Sequence, residues 1–69
     1  MKMFIIRLWD GNYLAHVQIG SNYLNYDRIR DRNAAQILNN VDSELVLTRL
    51  RNEGEKNPLR EEIAVASEP

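Results

Sequence analysis

The chain contains no cysteine, and its 69 residues include only one histidine, one tryptophan, one phenylalanine and two prolines. Disulfides are therefore excluded, and a structural zinc site is disfavoured because zinc prefers several cysteine or histidine ligands. A domain of this length buries only about 60% of its unfolded surface, so contacts with another subunit remain the most available source of added stability. The lack of cysteine also fits a reducing compartment, and we expect a cytoplasmic protein.

Long apolar runs are missing as well. Arg7 and Asp10 interrupt the apolar start "MFII" too early for a signal peptide. No run approaches the roughly 18 apolar residues that a membrane span requires, so we expect no membrane insertion. The formal net charge of -1 gives no general attraction to nucleic acid.

Residues 2–20, "KMFIIRLWDGNYLAHVQIG", predict an antiparallel β-hairpin. Either Asp10-Gly11 or Gly11-Asn12 forms the turn, because both pairs tolerate the positive φ of tight hairpin turns. The two registers differ by two residues, so both place the same apolar side chains on one face: Phe4, Ile6, Leu8, Tyr13, Ala15, Val17 and Ile19. The opposite face carries four further apolar residues: Met3, Ile5, Trp9 and Leu14.

A helix is predicted from Asp31, a good N-cap, to Asn39-Asn40. Four apolar residues in this region follow the i, i+3, i+4, i+7 spacing of one helix face: Ala34, Ile37, Leu38 and Val41. Residues 43–51, "SELVLTRLR", favour a third strand because Val46 and Thr48 are β-branched, although the leucines of this segment also tolerate a helix.

The C-terminal segment follows a polar break at residues 53–57. Asn57-Pro58 is typical of a helix start, and Glu61 and Glu62 suit the first turns of a helix. A helix over 57–66 is marginal on its own, so the segment forms either a short docked helix or an acidic tail.

These elements predict a small α+β domain of β-β-α-β order, in which the hairpin packs on one short helix. Residues 1–53 form this core, and residues 54–69 form the polar break with the acidic tail or C-terminal helix. One short helix covers one face of such a small sheet. We therefore expect the second hairpin face to bind a protein partner or a second copy of the chain, through Met3, Ile5, Trp9 and Leu14.

A nucleic-acid interface is the alternative. In "DRIRDR", residues 27–32, arginines could contact phosphates while neighbouring tyrosines stack on bases. The candidate residues are Tyr23, Tyr26, Arg28, Arg30 and Arg32. Asp27 and Asp31 lie among these arginines and would repel a nucleic-acid backbone, so protein binding is favoured.

No pattern indicates catalysis. His16 has no second catalytic group placed near it in the sequence, and no glycine-rich loop or paired-carboxylate pattern is present. We expect no enzymatic activity, cofactor, metal ion or small-molecule substrate.

"RLWDGNYLAHV" followed by "IRDRNAAQIL" resembles the pattern of small phage and prophage accessory proteins, which have a short hairpin, a polar connection and an alanine-rich helix opened by Asp-Arg. The resemblance covers residues 2–41 and carries over no site residue. It implies binding rather than catalysis, because such proteins with known roles often bind and inhibit a host protein. We therefore expect a non-enzymatic module that binds a host protein, self-associates as a homodimer, or does both.

Overall fold

A five-stranded antiparallel sheet is built around the first strand of the chain, within the residues 2–63 that the structure, a computed structural model, describes. β1 (Met3–Arg7) is central. β5 (Leu59–Ile63) pairs with all five of its residues along one edge, while β2 (Tyr13–Ile19) and the short β4 (Leu38–Asn39) share the other edge. β3 (Leu24–Ile29) pairs with β2, a 3₁₀ helix (Arg32–Ala34) precedes β4, and α1 (Asn40–Asn52) follows it. The small α+β fold predicted from the sequence is confirmed.

The core lies between α1 and one face of the sheet, which we call the helix-covered face. Ile6 and Leu14 contribute from the sheet, Val46 and Leu50 contribute from α1, and all four are fully buried. The opposite side of the sheet is called the outer face. It carries the odd-numbered residues of β1 and β5, which lie opposite one another in the β1–β5 register.

The hairpin of β1 and β2 has a different register from the predicted one. Arg7 lies opposite Tyr13, so the strands are joined by the five residues 8–12 instead of a two-residue turn. A one-residue change of register moves every side chain to the other face. Leu14 therefore belongs to the core, and the positions predicted for Tyr13 and Ala15 on the core face are wrong.

A β-bulge at His16 restores the predicted pattern in the second half of β2. The register between β2 and β3 shifts between Ala15 and Gln18, and His16 has a φ of 52°. The extra residue of a bulge reverses the alternation of the strand that carries it. Val17 and Ile19 consequently pack against the same core as Leu14, as the sequence predicted for those two residues.

The helix begins at the residues where the sequence predicts that a helix ends. Asn39 is the N-cap of α1, and its side chain accepts a hydrogen bond from the backbone N–H of Asp42 at 2.7 Å. Asparagine suits both helix termini, so Asn39-Asn40 was compatible with either reading. The strand predicted over 43–51 is wrong, because this segment buries one helical stripe against the sheet: Ser43, Val46, Leu47 and Leu50.

The helix predicted from Asp31 is also wrong. Asp31 caps only the 3₁₀ helix, and the chain then becomes extended, with the N–H of Gln36 donating to the carbonyl of Leu14 at 2.9 Å. This bond ties the segment to β2 and satisfies a backbone group that a helix would have used. The predicted apolar stripe does not form, since three of its four members are exposed: Ala34, Ile37 and Val41.

The last described segment is a strand and not the predicted helix. "LREEI" consists largely of good helix formers, but the free edge of β1 offers it five paired positions, and this tertiary pairing overrides the local propensity. Asn57, with a φ of 43°, and the buried Pro58 lead the chain into β5. The remainder of the predicted helix, residues 64–66, lies outside the described residues.

Candidate functional site

The four residues predicted to bind a partner do not form one surface. Ile5 is 2% exposed and Leu14 is fully buried, whereas Met3 is half-buried and Trp9 is 62% exposed. The register places Leu14 under α1, and Ile5 is buried on the outer face, where it lines a cavity together with Ala35. The structure thus corrects the predicted set of partner-binding residues. Ile5 and Leu14 are not accessible in the folded chain, whereas Trp9 is accessible.

Trp9 lies in the loop that joins β1 to β2, and this loop has several internal hydrogen bonds. The N–H of Leu8 donates to the carbonyl of Asn12 at 2.7 Å, and the N–H of Gly11 donates to the carbonyl of Leu8 at 3.0 Å. The Asp10 carboxylate accepts from the backbone and the side-chain amide of Asn12, both at 3.1 Å. Gly11 has a φ of 86°, a conformation that favours glycine.

A cation lies beside the tryptophan ring. Lys56 Nζ is 5.7 Å from the centroid of the Trp9 ring, within the range of a cation–π interaction. Lys56 belongs to the loop between α1 and β5, so two separate loops meet at this end of the sheet. We call Trp9, Lys56 and the loop residues 10–12 the Trp9 surface.

Arg28 links the two loops of the Trp9 surface. Its guanidinium donates to Asp10 Oδ2 at 3.3 Å and to the two carboxylate oxygens of Glu55 at 2.6 and 2.8 Å. The hydrogen bond to Glu55 is the main reason that the pKa of Arg28 is raised. Asp10 is adjacent to Trp9 in the chain and Glu55 is adjacent to Lys56, so a single arginine on β3 fixes both sides of the surface.

The residues of the predicted nucleic-acid site are dispersed. Arg28 lies opposite Leu14, on the helix-covered side of β3, and is paired as described above. Arg32 lies beyond the end of β3 and donates to Glu61 Oε1 at 3.3 Å, while Arg30 is exposed. Two of the three arginines, Arg28 and Arg32, are therefore already paired with carboxylates. These two arginines do not lie on one face of the sheet.

The tyrosines of that predicted site have structural contacts. Tyr26 packs against the core, and burial, followed by the charge of Glu55, raises the pKa of its phenol. Tyr23 is exposed at the turn between β2 and β3 and covers Gly20, where an added Cβ would lie only 2.0 Å from the ring. Arg49 of α1 holds this turn by donating to the carbonyls of Gly20, Ser21 and Tyr23.

His16 pairs with Asp27 on the exposed surface of the sheet. His16 Nδ1 lies 2.9 Å from Asp27 Oδ2, and both side chains are mostly in contact with solvent. Neither residue lines the cavity on the outer face or the cavity between α1 and Arg60. In residues 2–63, no group of three or more His, Cys, Asp or Glu side chains is arranged to hold a metal ion.

One cavity beside β5 opens on the outer face. It has a volume of about 210 Å³ and is lined by both apolar and polar side chains: Ile5, Arg32, Asn33, Ala35, Ile37 and Ile63. The cavity reaches the end of β5, because Ile63 is part of its wall.

Sequence reasoning missed Lys56 and the structural role of Arg28. In the sequence Lys56 is part of a polar break, and its position beside Trp9 depends on β5 pairing with β1. The partners of Arg28, Asp10 and Glu55, are 18 and 27 residues away in the chain, so the sequence around Arg28 indicates only a basic patch. No local signal in the sequence marks contacts at such separations.

Comparisons of the chain with protein-family models, curated proteins and solved structures gave no match. Within the described residues, no helix has the length and apolar character needed to cross a membrane.

Proposed function

We propose that the protein is a non-enzymatic protein-binding module, and that the Trp9 surface is its contact site. The observation that carries the proposal is an exposed tryptophan in a loop held in one arrangement by hydrogen bonds. Such a role agrees with the resemblance to phage and prophage accessory proteins, several of which bind and inhibit a host protein.

Exposure of Trp9 is not explained by the stability of the fold. The described core is formed without it, and its ring is 62% exposed although burial of an aromatic ring is favourable. Tryptophan is enriched among the residues that dominate the energy of protein interfaces, because it buries a large area with few rotatable bonds. An exposed tryptophan that the core does not use is therefore a suitable anchor for a partner.

The anchor is arranged before binding. Asp10 holds the loop through Asn12 and is itself held by Arg28, and Glu55 holds the neighbouring loop through the same arginine. Groups that are ordered in the free protein lose less conformational entropy when a complex forms. Lys56 lies beside the ring, so we expect the partner to offer an apolar pocket for Trp9 with carboxylates at its rim.

The test compares Trp9→Ala with Val41→Ala, a control that also removes an exposed apolar side chain, 71% exposed and located on α1. Proteins from the native host are captured on the wild-type chain and on both variants. Partners of the proposed site are lost with Trp9→Ala and kept with Val41→Ala. For a purified partner we expect Trp9→Ala to weaken binding about 30-fold, which corresponds to about 2 kcal/mol.

Intrinsic fluorescence gives a second measurement, because Trp9 is the only tryptophan in the chain. Burial of the ring in a tryptophan-free partner fragment should shift its emission to shorter wavelength. The proposal is wrong if both variants retain the same partners, or if a partner binds without any change in the emission of Trp9.

A further inference from the structure

Among the strands of residues 2–63, three have an unpaired outer edge: β3, β5 and the two-residue β4, which is too short to form an extended pair. A free strand edge presents backbone N–H and C=O groups that can pair with a strand of another molecule. In a two-fold symmetric antiparallel pair, one residue of the strand lies opposite itself, and this residue defines the register. The side chains brought together by each register therefore decide which edge can form a dimer.

We propose that two copies of the chain associate by antiparallel pairing of their β5 strands, with Glu61 on the two-fold axis. In this register Leu59 lies opposite the partner's Ile63, and Arg60 lies opposite the partner's Glu62. All five residues of β5 are paired. Apolar side chains face apolar side chains and a positive charge faces a negative charge, on both sides of the axis.

Arginine side chains of each chain neutralise the two Glu61 carboxylates that meet at the axis. In each chain Glu61 accepts from Arg7 Nη1 at 3.5 Å and from Arg32 Nε at 3.3 Å. The dimer thus brings four arginines around two carboxylates. The like-charge contact at the centre is compensated by cations that the single chain already holds in position.

Leu59 also fits the outer face of a second copy. It is 58% exposed in the single chain and lies on the same side of β5 as Ile63, which lines the 210 Å³ cavity with Ile5 and Ala35. In the proposed register Leu59 lies beside the partner's Ile63, at the edge of that cavity. The dimer therefore places an exposed leucine against Ile63, at the rim of a cavity whose lining is partly apolar.

On the helix-covered side, Arg60 is already fixed at the position that the partner's Glu62 would approach. Its guanidinium donates to Ser43 Oγ at 3.1 Å and lies 4.1 Å from the centroid of the Phe4 ring. Glu62 is exposed, so the charge pair gains an acceptor without displacing these contacts.

The other registers and the other edge fit less well. Centring β5 on Arg60 places two arginines opposite each other, and centring it on Glu62 places Ile63 opposite Glu61. On β3, a centre at Tyr26 places Leu24 opposite Arg28, and a centre at Asp27 places Asn25 opposite Ile29. Of the registers compared, only that of β5 centred on Glu61 matches both the charges and the apolar residues.

The first test measures mass against concentration, by sedimentation or light scattering of the full chain. We expect the mass to rise from that of the 8.1 kDa chain to twice that value as the concentration approaches about 1 mM. Leu59→Lys places a cation opposite Ile63 and should weaken association about 10-fold or more. Val41→Lys makes the same change at an exposed site on α1 and should leave association unchanged.

The second test fixes the register with cysteines, which the natural chain lacks. In Glu61→Cys the two Cα atoms lie about 5 Å apart across the axis, within the range of a disulfide. In Glu62→Cys they lie about 8 Å apart, from the strand spacing and the rise per residue, which is beyond that range. We expect Glu61→Cys to form the disulfide-linked dimer at least about 10-fold faster than Glu62→Cys in the same redox buffer.

A chain that stays monomeric up to about 1 mM would overturn the proposal. So would a dimer that tolerates Leu59→Lys, or equal cross-linking of the two cysteine variants. Circular dichroism of each variant checks that the fold is kept, and the cysteine comparison remains decisive if Leu59→Lys unfolds. The proposal is independent of the Trp9 surface, because Trp9→Ala should leave this association unchanged.

Discussion

Replacing Leu14 by alanine tests whether the observed hairpin register holds in solution. Leu14 is fully buried between the sheet and α1, in one cluster with Ile6 and Val46. Burial of a leucine side chain contributes about 1.5–3 kcal/mol, and the cavity left by truncation raises the total loss to about 2–5 kcal/mol. The register expected from the sequence places Leu14 on the opposite face, where the same substitution would have a small effect on folding of the single chain.

Leu59→Ala is the matched control. It removes the same atoms from the same sheet, but less than half of the Leu59 side chain is buried in the single chain, and truncation there leaves no enclosed cavity. We expect a loss of about 1 kcal/mol or less. The two substitutions therefore separate burial from the chemistry of the residue.

Equilibrium urea unfolding followed by far-ultraviolet circular dichroism measures both effects, at low micromolar concentration so that association through β5 does not contribute. A 69-residue domain has a total stability of about 3–10 kcal/mol. With a denaturant dependence of about 1 kcal/mol per molar urea, Leu14→Ala should lower the midpoint by about 2 M or more, or unfold the chain without urea. Equal shifts for Leu14→Ala and Leu59→Ala would refute the register.

Two further substitutions test the bulge and the partly buried phenol of Tyr26. At an ordinary strand position glycine lowers the stability of a protein by about 0.5–1 kcal/mol relative to alanine. His16 has a φ of 52°, a conformation that glycine adopts more easily than alanine. We therefore expect the His16→Gly protein to be more stable than the His16→Ala protein by about 1 kcal/mol in the same urea assay. The opposite order would mean that the bulge does not have this backbone conformation. The pKa of Tyr26 is raised, chiefly by burial, so its stabilising contribution is present below pH 10 and is lost as the pH rises through the folded-state pKa. Tyr26→Phe should therefore lose less stability above about pH 10 than the wild type does, as measured by thermal unfolding. Equal losses would contradict the raised pKa of Tyr26.

Local patterns in the sequence were sufficient for some elements and misleading for others. The alternation of Phe4, Ile6 and Leu8 placed β1 correctly against the core. The stripe of Val46, Leu47 and Leu50 also has helical spacing, but the β-branched residues of that segment favoured a strand. The difference arises because β-propensity depends on what a segment packs against, and here one face of the segment packs on the sheet as a helix.

The candidate site depended still more on contacts between distant parts of the chain. Trp9 is a candidate by its residue type alone, because tryptophan is enriched at protein interfaces. Arg28 was placed in a different site, because its role follows from β3 lying beside β2 and from Glu55 reaching it from the loop after α1. Side-chain pairs separated by 20 or more residues are set by topology, and topology is not encoded in any local pattern.

The sequence by itself determined a small α+β fold without disulfides and a hairpin at residues 2–20 with an apolar strand at its start. Tertiary structure decided the face on which each residue of β2 lies, the start of the helix at Asn39, and the folding of "LREEI" as a strand. The physical reason is the same in each case. A bulge, a cap or a free strand edge stabilises one of several conformations that are locally similar in energy, and that selection requires the rest of the chain to be in place.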